Sequence, residues 1–139
     1  MRIEVGGNVL ECDVEATVAA FKAYTPSPCD CNGCRNYAAA QSVLAGDAQV
    51  FTQFGIDIAK AAEVYETGLR EDSLLLYGGW FHFLGDVISD GDIFEVSEHL
   101  EVYFVTHPAL VPEAFKGQRI VQMEFEWKIP WLLAEPWSP

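Results

Sequence analysis

The stretch Val121-Gln122-Met123-Glu124-Phe125-Glu126-Trp127-Lys128-Ile129 decides the fold class of this chain. Apolar and polar side chains alternate across it without interruption. Because successive side chains of a β-strand point to opposite faces, this alternation predicts a strand with one face in a core and the other in water. Half-buried strands of this kind are typical of antiparallel sheets, so we predict such a sheet here.

Other segments supply partners for that strand. Residues 74–87 are apolar on both faces, which predicts a central strand that is covered on two sides. Gly78-Gly79 within this segment indicates a bulge or the close approach of another backbone. Residues 2–14 have the pattern of a β-hairpin that turns at Gly6-Gly7-Asn8. Shorter strands are predicted at residues 63–69, 93–96 and 100–106.

Two short helices are predicted between the hairpin and the later strands. Residues 36–45 are rich in alanine and precede Gly46, which is a natural stop for a helix. Asp47 is placed to cap a second helix over residues 47–54. Residues 16–24 fit a strand or a helix, because their apolar spacing is helical while their β-branched residues disfavour a helix.

These elements together predict an α+β fold, with a mostly antiparallel sheet and two or three short helices packed on one side. So many strands in series also suit a strongly curved or closed sheet. At 139 residues the chain is long enough for one core, and we predict a single domain over residues 1–139. Residues 131–139 are an aromatic C-terminal tail, which we expect either to contact a protein partner or to fold back over its own sheet edge.

The charge of the chain disfavours two classes of partner. Its 21 acidic residues outweigh eight basic ones and give a net charge of -13, which repels nucleic acid phosphates and anionic membranes. Residues 1–7 contain no basic segment followed by an apolar run, so no signal peptide is predicted. The most apolar window, residues 74–84, is too short to cross a bilayer. We therefore expect a cytoplasmic protein that binds neither nucleic acid nor membrane.

Three of the four cysteines, Cys29, Cys31 and Cys34, lie within six residues with the spacing C-x-C-x2-C. In a reducing cytosol, clustered cysteines are more typical of metal or redox sites than of a disulfide framework. Thiolates bind zinc tetrahedrally, and a proline-bounded turn with Asn32-Gly33 at its tip brings such ligands together. A helix that begins near Cys34 points free N–H groups at the sulfurs, and Arg35 adds a positive neighbour. We therefore predict a structural zinc site.

Two residues are candidates for the fourth zinc ligand. Cys12 lies on an apolar strand face, where a lone cysteine is more often a small buried hydrophobic residue. His82 shares a strand face with Trp80 and Leu84, and a hydrogen-bonded core histidine is at least as good an interpretation. Both stay candidates from the sequence.

The same cysteines allow two other interpretations. Cys31-Asn32-Gly33-Cys34 is a C-x-x-C pair before a helix, which is typical of a reactive thiolate in a redox protein or an enzyme, although the chain lacks the βαβ opening of a thioredoxin. The third interpretation is three reduced cysteines without a role. Because no serine-nucleophile, phosphate-loop or H-E-x-x-H motif occurs, we favour a non-enzymatic domain whose zinc pins the helix and loop to the sheet and whose surface binds another protein.

Three stretches in this order carry a resemblance to a known family. They are Cys29-Asp30-Cys31-Asn32-Gly33-Cys34-Arg35-Asn36-Tyr37, Phe54-Gly55-Ile56-Asp57 and Tyr77-Gly78-Gly79-Trp80-Phe81-His82-Phe83. Together they resemble a family of small bacterial proteins known only as uncharacterised, with the motif C-x-C-x2-C-R-N-[FY]. The resemblance implies that the cysteine run belongs to the design of that family, and it implies no activity.

Overall fold

The computed structural model of the protein describes residues 1–70 and 72–138. Its strands are β1 (Arg2–Val5), β2 (Asn8–Cys12), β3 (Glu63–Leu69), β4 (Leu74–Ser89), β5 (Phe94–Ser97), β6 (Leu100–Val105) and β7 (Ile120–Pro130). Its helices are α1 (Val14–Ala23), α2 (Asn32–Ala40) and α3 (Ala45–Thr52), with 3-10 turns at Gln41–Val43 and Glu113–Phe115. None of these helices has the length and apolar character that crossing a bilayer requires.

Strand β4 organises the sheet. Within the described residues, seven antiparallel strands form one sheet in the order β1-β2-β4-β7-β6-β5, and β3 also pairs with β4. One edge of β4 pairs with β7 over eleven residues, whereas its other edge is shared between β3 and β2. The predicted α+β fold and the central strand are confirmed, and the sheet is open rather than closed. The hairpin is confirmed over Arg2–Cys12, whereas Val14, which was predicted within it, begins α1.

The glycine pair in β4 marks a close backbone approach. A Cβ atom built on Gly79 would lie 2.2 Å from the carbonyl oxygen of Glu63 on β3, so only glycine fits there without a shift of the backbone. The bulge lies on the partner strand instead, where the register shifts between Glu66 and Gly68. Of the two predicted roles for the pair, close approach is the one that the structure confirms.

Helix α1 fills a gap at the edge of β4. Strand β3 pairs with β4 up to Trp80, and β2 pairs with β4 from Gly85. Between these positions the Leu84 N–H donates to Thr17 Oγ1 at 3.1 Å, and the Leu84 carbonyl accepts from the Asp13 N–H at 2.9 Å. The segment that fitted a strand or a helix is therefore helical, and its threonine replaces a neighbouring strand as hydrogen-bond partner.

We expect the substitution Thr17→Val to lower the free energy of unfolding by about 1–2 kcal/mol. Valine keeps the shape of this fully buried side chain but removes the acceptor for the Leu84 N–H, which then has no partner. Urea unfolding measures the loss, with Thr17→Ser as a control that keeps the oxygen. A loss for Thr17→Ser as large as that for Thr17→Val would show that the hydrogen bond is not the cause.

The core lies between one face of the sheet and helices α2 and α3. Phe51 of α3 lies against Phe81, with ring centroids 5.0 Å apart, and against Trp127 at 5.4 Å. Tyr37 of α2 lies against Tyr77 at 5.9 Å. The partners on the sheet have odd numbers, as the alternation in the sequence predicts for a buried face. The prediction that these two helices pack on one side of the sheet is confirmed.

The predicted helix boundaries need correction. The helix predicted over residues 36–45 begins four residues earlier and ends sooner, and Gly46 lies inside α3 instead of stopping a helix. Asp47 does not cap α3, because Leu44 occupies the N-cap position. The Asp47 carboxylate instead accepts a hydrogen bond from Trp127 Nε1 at 3.3 Å, which ties α3 to β7. A long-range contact therefore replaced the local cap that the sequence predicted.

Candidate metal centre

The sulfur atoms of Cys29, Cys31 and Cys34 lie within 4.8 Å of one another. The Cys29 and Cys31 sulfurs are 3.3 Å apart. Sulfur ligands of a tetrahedral zinc ion are separated by about 3.8 Å, so the three thiols span a suitable distance for one metal ion. All four cysteines are free thiols, with Cys29 and Cys31 exposed and Cys34 half-buried. The three cysteines predicted as ligands therefore lie close enough to hold a metal ion.

The start of helix α2 positions these sulfurs. Cys31 is the N-cap residue, and its sulfur accepts a hydrogen bond from the Cys34 N–H at 3.4 Å. A cysteine thus occupies the position that serine, aspartate or asparagine usually takes. The free N–H groups at this end of a helix favour negative charge, so they favour thiolates over thiols. This cap also explains the early start of α2, because cysteine is not a capping signal in a sequence.

The thiols differ in acidity. A backbone hydrogen bond from Cys31 is the main cause that lowers the pKa of the Cys29 thiol. Burial raises the pKa of the Cys34 thiol above its usual range. Arg35, which the sequence placed as a positive neighbour of the cysteines, forms an ion pair with Glu135 and donates through Nε to the Asp30 carbonyl at 2.9 Å. Arg35 therefore holds the loop in place. A bound cation would favour the deprotonated form of all three thiols, because its positive charge offsets their repulsion.

A buried hydrogen-bond network anchors α2 beneath the cysteines. Asn36 is fully buried, and its Nδ2 donates to the Pro130 carbonyl at 3.1 Å and to the Tyr77 hydroxyl at 3.3 Å. Its Oδ1 accepts from the Leu132 N–H at 2.7 Å. The Tyr77 hydroxyl in turn donates to the Gly33 carbonyl at 2.6 Å. The first turns of α2 are therefore tied to β4, to the end of β7 and to the tail.

The aromatic tail folds back onto the protein. Trp131 and Trp137 are half-buried and pack against the core. The Asn32 Nδ2 donates to the Pro136 carbonyl at 3.0 Å, so the tail also contacts the first residue of α2. Pro139 of the predicted tail lies outside the described residues. The tail therefore folds back, but its observed contact is with the start of α2 and not with the sheet edge that was expected, and contact with a protein partner stays a prediction.

Neither candidate for the fourth ligand reaches the three thiols. Cys12 is fully buried, and its sulfur donates to the Phe54 carbonyl at 3.4 Å, while burial raises its pKa to about 11. His82 is buried, and its Nε2 lies 3.1 Å from Gln122 Oε1. Among the described residues, the group with metal-ligand spacing contains Cys29, Cys31 and Cys34 alone. The interpretation of Cys12 and His82 as core residues is the one that the structure favours.

We expect His82 to make the stability of the protein sensitive to mild acid. Burial lowers the pKa of its imidazole, and Nδ1 has no hydrogen-bond partner within the described residues. The unfolded chain takes up this proton near pH 6.5, whereas the folded protein does so only at lower pH. Between these values the unfolded state binds more protons, so stability falls as the pH drops below about 6.5, by up to about 1.4 kcal/mol per pH unit.

The measurement is urea unfolding at pH 7.5, 6.5 and 5.5 for the natural protein and for His82→Gln. Carboxylates contribute equally to both proteins, so the difference between the two pH profiles isolates the histidine. We expect the natural protein to lose more stability than the variant between about pH 6.5 and 5.5. Parallel profiles would show that His82 titrates alike in the folded and unfolded states.

A cavity of about 710 Å³ lies beside the cysteines, and sequence reasoning missed it. Cys29 and Cys34 form part of its wall. Most of the remaining wall comes from segments distant in sequence, and its apolar members include Pro26, Val64, Leu110 and Val111. No local pattern could have revealed it, because four separate parts of the chain meet there, namely residues 24–29, residues 34–41 of and next to α2, residues 59–64 and residues 110–112.

Comparison with known proteins adds no assignment. No protein-family model, no curated protein and no solved structure matches the chain. The resemblance to a family with the C-x-C-x2-C-R-N-[FY] motif therefore stays a prediction. Any functional proposal depends on the geometry of the three cysteines and their surroundings.

Proposed function

We propose that Cys29, Cys31 and Cys34 bind a zinc ion that stabilises the loop before α2 and the first turn of that helix. The observation that carries this proposal is the grouping of the three sulfurs within 4.8 Å at a helix N-terminus. The closeness of the three sulfurs allows them to bind one cation together. The free N–H groups at the helix N-terminus favour the negatively charged thiolates that such a cation needs as ligands. The role is structural, because the ion would link the exposed loop to a helix that is anchored in the core.

The donor set favours zinc over other metal ions. Three thiolates are soft ligands, whereas magnesium, calcium and manganese prefer oxygen. Iron–sulfur clusters normally take four cysteines, and the fourth cysteine of this chain is in the core. Zinc accepts three protein ligands and a fourth ligand from water or a bound molecule.

We also propose that the protein is located in a reducing compartment, the cytoplasm. Thiols stay reduced there, and all four cysteines of this chain are free. A protein partner stays a prediction that no observation tests. In the tail, whose aromatic residues suggested a partner, both tryptophans are half-buried. Leu132, at 48% exposure, is the most exposed large apolar side chain of the tail and so the one most available to a partner.

Metal analysis of the purified protein tests the zinc site, combined with thiol titration before and after a chelator. We expect one zinc ion per chain, with Cys29, Cys31 and Cys34 unreactive until the chelator removes the metal. Cys12 should react slowly in both states because it is buried. Protein that is purified under reducing conditions without metal, and that binds no added zinc, would contradict the proposal.

A thiol-redox role is the second candidate. The sulfurs of Cys31 and Cys34, the pair predicted from the sequence, lie within 4.8 Å of each other, and those of Cys29 and Cys31 are 3.3 Å apart, which favours the second pair. In this role one thiolate attacks a disulfide of a partner and releases one of its sulfurs as a thiolate. The second cysteine then attacks the mixed disulfide, so the partner leaves as a dithiol and Cys29–Cys31 becomes oxidised. Protein that is metal-free, with one fast-reacting thiol and a reversible intramolecular disulfide, would favour this role over zinc binding.

A further inference from the structure

We propose that the cavity beside the cysteines binds a small molecule that carries a neutral nitrogen donor on an apolar body. This inference rests on the proposed zinc site, because the donor would complete the coordination of the metal held by Cys29, Cys31 and Cys34. The molecule would therefore contact the metal at one end and the cavity wall at the other. The three cysteines would then form a ligand-binding centre as well as a structural one.

The coordination number is the first reason. A tetrahedral zinc ion takes four ligands, and the described residues bring three to one place. The two other candidates, Cys12 and His82, are held in the core by hydrogen bonds to Phe54 and Gln122. Zinc sites with three protein ligands are those that keep a position for water or an exogenous molecule.

The shape of the surroundings is the second reason. At about 710 Å³, the cavity falls within the range of about 300–1,000 Å³ typical of small-molecule sites. Cys29 and Cys34 line it, so a metal bound to them would lie at its wall. Val64, Leu110 and Val111 provide apolar surface for the body of a ligand.

Charge selects the kind of donor. An ion with two positive charges and three thiolates has a net charge of -1, and a fourth thiolate or a carboxylate would increase it to -2. Glu63 is the one charged side chain among the lining residues within the described part of the chain, and it is an acid. The whole chain carries a net charge of -13. A neutral donor such as an imidazole nitrogen avoids this repulsion.

Cobalt substitution provides the test, because the visible absorption of Co²⁺ bound to thiolates responds to a change in its fourth ligand. The protein is loaded with Co²⁺ in place of zinc and titrated with imidazole, 4-phenylimidazole and 2-mercaptoethanol. We expect a saturable spectral change with 4-phenylimidazole at about a tenfold lower concentration than with imidazole, because the phenyl ring buries apolar surface in the cavity. The thiol should bind more weakly than 4-phenylimidazole.

Two matched variants locate the bound ring. Leu110→Asp places a charge on the cavity wall, whereas Ile93→Asp places the same charge away from it. The two original side chains are similarly exposed, Leu110 at 63% and Ile93 at 61%. Because both side chains are exposed, both variants should fold. We expect the advantage of 4-phenylimidazole over imidazole to shrink in Leu110→Asp and to persist in Ile93→Asp.

Three results would overturn the inference. A Co²⁺ spectrum that responds to none of the three probes would leave the metal site intact but exclude an exogenous ligand. Equal affinity for imidazole and 4-phenylimidazole, or tighter binding of 2-mercaptoethanol, would contradict an apolar cavity with a preference for neutral donors. Failure of the natural protein to bind Co²⁺ or Zn²⁺ at all would contradict the zinc site itself, and this inference with it.

Discussion

Replacing Cys31 with serine is expected to lower the affinity for zinc by at least about a hundredfold while leaving the metal-free protein as stable as before. Cys31 has two roles, because its sulfur lies in the group of three thiols and also caps α2 by accepting the Cys34 N–H. Serine is among the preferred N-cap residues but is a poor zinc ligand, so Cys31→Ser removes the first role and keeps the second. Competition with a chromophoric chelator measures the affinity, and urea unfolding of the metal-free protein measures the cap.

Cys12→Ala is the matched control for that experiment. Cys12 is fully buried and bonds to the Phe54 carbonyl, so its removal should cost about 1–2 kcal/mol of stability and leave zinc affinity unchanged. Cys31→Ser should therefore lose zinc affinity and keep its stability, whereas Cys12→Ala should lose stability and keep its zinc affinity. Loss of zinc from Cys12→Ala, or retention of full affinity by Cys31→Ser, would show that the ligand set is different.

Asn36→Ala is expected to lower the free energy of unfolding by about 2–4 kcal/mol. The Asn36 side chain is fully buried and satisfies a carbonyl of Pro130, an N–H of Leu132 and the Tyr77 hydroxyl. Alanine leaves these groups with one partner fewer in a part of the protein from which water is largely excluded. Because the same network holds the start of α2, zinc affinity should fall as well, by about tenfold.

Asn32→Ala separates the effect of burial from that of residue type. Asn32 lies on the same helix and also bonds to the tail, through Pro136, but its hydrogen bond is exposed to water. We expect this variant to lose less than about 1 kcal/mol, because water replaces the lost partner. Chemical denaturation of both variants measures the two losses, and equal losses would show that the three buried hydrogen bonds of Asn36 add no more stability than the one exposed hydrogen bond of Asn32.

The sheet was predictable because its signals are local. Strand β7 is predicted by its alternation of apolar and polar residues. Strand β4 is predicted by an apolar run that is too long and too rich in aromatic residues for a loop. Their pairing from Leu74–Pro130 to Leu84–Ile120 follows once both are known to be strands of one antiparallel sheet. The open form of the sheet did not follow, because closure depends on whether the end strands β1 and β5 pair, and these strands are distant in sequence.

The candidate metal centre was predictable only in its ligands. Cys29, Cys31 and Cys34 are close in sequence, so a single loop brings them together. The fourth position required knowledge of where Cys12 and His82 lie, and burial between distant elements decides that. The cavity wall was equally inaccessible to sequence reasoning, because packing of distant segments sets it.

The Asn36 network has a consequence for the order of events during synthesis. Its partners at Pro130 and Leu132 follow it in the chain by 94 and 96 residues. At elongation rates of about 5–20 residues per second, these partners are made about 5–20 s after the cysteines. The cysteine loop therefore leaves the ribosome before the hydrogen bonds that anchor α2 can form. Zinc that binds after synthesis is complete would meet a loop that is already held in place by these bonds.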